Sequence, residues 1–188
     1  METKASVIRS GRKSLAIEVT AEGRVVVRAP YKAKLEMIES FLHEKRGWIE
    51  RSLSKVKRRR QAAAALEPLT PGDVEQLTEK AKLLIPLRVA HYAGIVGVSY
   101  GRITVRCQKT RWGSCSSGGN LNFNCLLMLA PPKVLDYVVV HELCHRKQMN
   151  HSEAFWQEVE KVIPEHAKYR AWLRQEGSLL MERVARGQ

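Results

Sequence analysis

Residues 141–151 read His-Glu-Leu-Cys-His-Arg-Lys-Gln-Met-Asn-His, a run whose residue types and spacing can do hydrolytic chemistry. His141 and His145 stand four apart, so on an α-helix both imidazoles project from one face and can chelate a single ion. Glu142 sits beside the first of them, where its carboxylate can hold and deprotonate a water that the ion activates. The helix is expected to break near Asn150, which lets His151 swing back as a third ligand. Three protein ligands leave the fourth tetrahedral position open, the mark of a catalytic rather than a structural zinc site. The pattern points to a zinc hydrolase, and first to a peptidase.

A bare H-E-x-x-H also arises by accident in helices whose histidines are solvated or packed. Two features set this one apart. Val134, Leu135, Val138, Val139 and Val140 make the preceding helix strongly apolar, so an unpaired Glu142 on it would be costly without a task. After the motif come the third histidine and a new helix start at Ser152.

Elements that can position these residues follow from periodicity and punctuation. Val7-Ile8, Leu15 to Val19 and Val25 to Arg28 are short β-prone runs separated by Ser10-Gly11-Arg12 and Ala21-Glu22-Gly23, so residues 5–29 predict an antiparallel meander ended by Pro30. From Lys32 to Arg60, Leu35, Ile38, Phe41, Leu42, Trp48, Ile49 and Leu53 recur at helical spacing, with Gly47 as a break, and Gln61 to Leu69 reads as a helix tail or linker. Thr70 and Pro71 start a helix that should run to about Tyr92, kinked at Pro86. Val98 to Arg106 predicts a strand pair turning at Tyr100-Gly101, residues 111–120 a glycine- and serine-rich loop, and Leu121 to Leu129 a strand. Pro131-Pro132 opens the metal-binding helix, and Ser152 caps a last helical region, interrupted at Pro164, with Phe155, Trp156, Val159, Val162 and Ile163 as its buried stripe.

The chain of 188 residues can bury one core, or one plus that of a small subdomain. No apolar run approaches the ~20 residues of a membrane span. Met1 to Ser10 lacks the apolar centre of a secretory signal, so a soluble, cytoplasmic protein is expected. Cys107, Cys115, Cys125 and Cys144 form no C-x-x-C pair and read as reduced thiols. The formal charge is +13, and residues 1–60 hold sixteen Lys and Arg against seven Asp and Glu. Lys55, Lys57, Arg58, Arg59 and Arg60 form its densest block, which can bind nucleic acid without sequence preference or can simply be a solvated helix end favoured by the macrodipole.

The sequence resembles the YgjP-like metallopeptidases, relatives of the SprT-like and WLM-type zinc proteases. The resemblance rests on Arg111-Trp112-Gly113-Ser114-Cys115-Ser116, on Leu121-Asn122-Phe123-Asn124, on Asp136 to His145, and on Asn150-His151-Ser152 with Phe155-Trp156. Arg9-Ser10-x-Arg12-Lys13 and Val27-Arg28-Ala29-Pro30 extend it over nearly the whole chain. It implies an α+β fold: a zincin-like core with a small antiparallel sheet packed on the active-site helix, here preceded by the N-terminal meander and helices. It also implies zinc held by His141, His145 and His151, with Glu142 as catalytic base. Residues 1–69 would then form the N-terminal β and basic helical region, and residues 70–188 the peptidase domain. The three-histidine spacing also fits metzincins, but Gln148 stands where they carry glycine, so the helix should exit differently. Cys144 replaces the usual small residue and is read as a packed thiol, not a ligand.

Further residues have two readings each. Trp112 either lines the cleft or supports the loop from the core. Tyr137, four before His141, either hydrogen-bonds near the metal or packs on the sheet. Asn150 can cap the broken helix and orient His151. His43, His91 and His166 read as surface or packed histidines. The strand from Leu121 to Leu127 is expected at a sheet edge, where it could pair with an extended substrate. The main alternative to a peptidase is a basic nucleic-acid-binding module with a structural or vestigial zinc site. A zinc hydrolase of non-peptide amides shares the same site chemistry.

Overall fold

A computed structural model describes residues 5–20 and 22–187, which fold as α+β. Two compact units divide between Ala65 and Leu66. Residues 67–69 go with the second unit because Leu69 N donates to Arg183 O (3.2 Å) and Arg183 Nε donates to Glu67 O (2.8 Å).

In the first unit, β1 (Ala5–Ser10), β2 (Ala16–Val19) and β3 (Val25–Pro30) form a sheet in the order β1-β3-β2. The expected meander is corrected: β3 is central, antiparallel to β2 but parallel to β1. The reason is apolar content. Val25, Val27 and Ala29 make β3 the strand that is buried along one face, whereas β1 exposes Val7 and Ile8 and serves as an edge. Of the turn expected at 21–23, Ala21 lies outside the described residues. Helices α1 (Leu35–Glu44) and α2 (Arg46–Ala64) meet at Lys45, just before Gly47, and Ile38 joins Val27, Ala29 and Ala33 in the unit's core.

The second unit begins with α3 (Pro71–Val96). Thr70 Oγ1 accepts from Asp73 N while Asp73 Oδ2 accepts from Thr70 N, a capping box that satisfies two end groups. The helix runs through Pro86 past the expected stop at Tyr92 and ends at Gly97, φ 75°. Ala81, Ile85, Val89, Ala93 and Val96 lie a turn apart and form its buried stripe.

The second sheet holds β4 (Ile103–Arg106), β5 (Gly113–Cys115) and β6 (Leu121–Asn124) in the order β4-β6-β5. It is mixed rather than antiparallel, since β4 runs parallel to β6 and β5 antiparallel. Residues 98–102 do not form a first strand of the pair expected there; Arg102 instead bonds across to Asn120 and Leu121. The strand expected over Leu121–Leu129 stops at Asn124, whose Oδ1 accepts from Leu126 N and caps a 3-10 segment, Cys125–Leu129.

Helix α4 (Pro132–Cys144) is buried along nearly its whole length against this sheet and α3. It is followed by α5 (Glu153–Val162) and α6 (His166–Arg186), with Pro164 between them. No helix among the described residues is long and apolar enough to cross a membrane.

Candidate metal centre

Helix α4 ends earlier than the break expected near Asn150. After Cys144 the chain tightens: Arg146 N donates to Leu143 O and Lys147 N to Cys144 O, both three residues back. Ser152 then precedes α5, with Asn150 Oδ1 accepting from Ser152 N at 3.3 Å. Asn150 thus braces the elbow that carries His151.

The elbow brings His141, His145 and His151 together, with one nitrogen from each lying within 4.8 Å of the others. His141 Nε2 and His151 Nε2 face each other at 3.0 Å. Two nitrogens on a tetrahedral zinc, each about 2.0–2.1 Å from it, stand about 3.3 Å apart, so the His141–His151 pair is near the spacing such an ion needs, and His145 closes in by a small ring movement. His145 Nδ1 lies 3.0 Å from Gln148 O, and a carbonyl can only accept, so Nδ1 carries the proton and Nε2 keeps its lone pair. Gln148 thereby orients the His145 ring through its backbone. Its φ is not positive, so the exit from the helix is not the glycine path.

Tyr137 Oη stands 3.5 Å from His141 Nδ1, and its buried ring lies 6.4 Å from that of Tyr169 on α6. Burial, with His145 and His151 alongside, pushes His141 down to about 3 and keeps its imidazole neutral, the form that can hold a metal ion.

Two aromatic residues of α5 hold the rings from below. Phe155, fully buried, lies 4.6 to 4.9 Å from all three imidazole centroids and stacks on His145. Trp156 stacks on His151 at 5.8 Å and carries the Arg170 guanidinium 4.6 Å from its ring centroid. Apolar spacing places both residues in a buried stripe, and their position four and five residues after His151 is the sequence signal that they also face its ring.

Glu142 is 5% exposed, and no side chain among the described residues hydrogen-bonds or ion-pairs with it. Burial alone pushes its carboxyl up to about 8. A buried acid without a partner is costly for a merely structural helix and is suited to proton transfer. β5 lies directly against it: a Cβ on Gly113 would stand 2.6 Å from Glu142 Oε1. β6 is central, so the edge expected over Leu121–Leu127 is corrected; β5 is the edge beside Glu142.

Asn124, the last residue of the Leu121-Asn122-Phe123-Asn124 motif, is 1% exposed. Its Nδ2 donates to Gln108 O (2.7 Å) and Arg111 O (2.9 Å), which holds the loop that delivers Trp112 and Gly113. Trp112 both packs on the core and lines a cavity beside Glu142. Cys144 is buried and outside the ligand group. His91 lies edge-on to Tyr92 and His166 stacks on Trp156, and the ligand group among the described residues includes neither of them nor His43.

Residues 13–75 and 74–176 match the profile of the YgjP-like metallopeptidase domain. The chain belongs to the YgjP-like family. Membership brings a metal-dependent peptidase domain, and with it protein or peptide substrates. The YgjP-like chain is also similar to the metallopeptidase zymogen of Pyrococcus abyssi abylysin, at 24% identity over 50% of this chain and 96% of that one, TM-score 0.45. The zymogen of Methanocaldococcus jannaschii jannalysin is similar at 21% identity over 49% and 95%, TM-score 0.44. A comparison with curated proteins returns no match.

Proposed function

We propose that this YgjP-like chain is a zinc-dependent endopeptidase, with His141, His145 and His151 holding the ion and Glu142 as general base. The observation that carries the reading is the buried, unpaired Glu142 carboxylate set on the same helix as two of three converging imidazoles. Bound zinc would polarise the scissile carbonyl and acidify the attacking water. Glu142 takes the proton of that water on its carboxylate and later passes it to the leaving amine. The free edge of β5 can pair with an extended substrate and hold its backbone beside Glu142. Such reading of the backbone leaves side-chain preference to the neighbouring cavity.

The peptidase domain lies in residues 70–188 in this reading, and the β and basic helical region ahead of it recruits nucleic acid weakly. The cytoplasm is its place of action, in keeping with four cysteines read as reduced thiols.

The test compares three zinc-loaded proteins on unfolded protein, with and without chelator. Glu142→Gln keeps about one zinc per chain and loses hydrolysis, because the amide is nearly isosteric but cannot take a proton. His151→Ala loses zinc affinity markedly. Equal cleavage by Glu142→Gln and wild type sinks the peptidase reading, and full zinc retention in His151→Ala removes that residue from the ligand set.

A further inference from the structure

A cavity of about 260 Å³ opens beside the histidines onto His141 and Glu142, with Trp112 and Arg111 before β5, Tyr137 on α4 and Leu173 on α6 around it. That volume is below the ~300 Å³ at which sites for whole small ligands begin, and suits one side chain or a chain end. Helix α6 closes it by lying flat on Trp112: a Cβ at Gly177 would come within 2.7 Å of Trp112 Cζ2. One turn earlier the same face sets Leu173 into the cavity wall.

The charge around this cavity has one sign, apart from Glu142 itself. Arg111 lines it, and Arg170 and Arg174, a turn apart on α6, flank Leu173. All three guanidiniums are exposed, and none is ion-paired among the described residues. Arg170 is held over Trp156, hence close to His151. Arg174 stands three residues before Gly177, on the side of α6 that meets Trp112. Trp112 and Leu173 offer apolar walls to a methylene stem, and the cations await an anion at its end.

We infer that this cavity is the side-chain pocket next to the scissile bond, and that Arg111, Arg170 and Arg174 make it select a carboxylate. Two sources share that chemistry, the side chain of an acidic residue and a free C-terminal carboxyl group. The inference rests on the peptidase reading for its place beside the scissile bond, but pocket binding can be measured without turnover.

The experiment uses zinc-loaded Glu142→Gln protein and short peptides read by competition binding. One arm moves a single Glu, against Gln, through the positions of an otherwise neutral, end-blocked peptide. The other compares a free C-terminal acid with its amide. Wild-type kcat/KM is measured on the same peptides. In one arm the carboxylate should bind about tenfold better than its neutral counterpart, at one position only. The preference should fall to within about twofold in the Arg111→Gln, Arg174→Gln background, and Arg111→Lys should restore part of it relative to Arg111→Gln. A preference below about twofold in both arms overturns the proposal. So does a preference that survives loss of both arginines, since the carboxylate would then sit on the metal. Selective binding without any cleavage by wild type would sink the peptidase reading and leave the pocket standing, whereas cleavage without preference sinks the pocket alone.

Discussion

A methyl group at Gly113 would lie 2.6 Å from Glu142 Oε1, 2.8 Å from its Cγ and 2.9 Å from its Cδ. The carboxylate is buried and cannot retreat without moving the chain around it. Gly113→Ala should therefore leave the three histidines and about one zinc per chain, yet cut kcat/KM by about a hundredfold or more through displacement of the base. Wild-type kcat/KM in Gly113→Ala would mean that Glu142 acts from a different rotamer. The two kinds of residue differ in legibility. His141 and His145 can be read from the sequence because four-residue spacing is a local property of a helix. Gly113 can be seen only as a letter in a motif, because its reason lies in a contact with a residue far along the chain. Gln148 lies between: the sequence marks it as a departure from glycine, and only the fold shows its carbonyl fixing the tautomer of His145.

The elbow between α4 and α5 is held by charge as well as by turns. Glu158 on α5 accepts from Lys147 Nζ at 2.7 Å and also pairs with Lys161. Hydrogen bonds from Lys147 and then Lys161 hold its carboxyl down at about 2, below the ordinary 4.5. The pairs thus contribute stability above about pH 4.5 and lose it as pH falls toward 2. Glu158→Gln should lower Tm near pH 7 by about 2–4 °C, for about 1 kcal/mol lost, and the gap from wild type should close by pH 2. A gap independent of pH would assign the loss to packing instead. At this scale α4 and its start at Pro131-Pro132 are legible, because apolar content and punctuation agree. The end of α4 is not, since no glycine or proline marks Cys144 and the turn is set by His151 meeting its partners. Sheet order escapes the sequence for a related reason: β3 and β6 take the centre of their sheets through burial, and neighbouring strands in sequence need not pair.

Across the whole molecule, charge and chemistry lie on different parts of the chain. The three converging histidines belong to the second compact unit, while the excess of sixteen Lys and Arg over seven Asp and Glu lies in residues 1–60. The block at 55–60 stops short of the last turn of α2, which holds no cation, so the macrodipole that fades beyond that turn gives a weak account of it. Lys55, Lys57, Arg58 and Arg60 are exposed along the helix. If the block recruits nucleic acid, the full chain should bind duplex DNA without sequence preference, and replacing Lys57, Arg58, Arg59 and Arg60 by Gln should flatten the slope of log affinity against log salt by up to about 3.6. A fragment starting at Leu66 should lose that binding while keeping about one zinc per chain and cleaving small peptides, because its core and ligand set are both internal to it. Salt-dependent DNA binding that persists in the fragment would move the contact to the arginines of the second unit. A fragment that folds but loses its zinc would show that the peptidase domain depends on the residues before it.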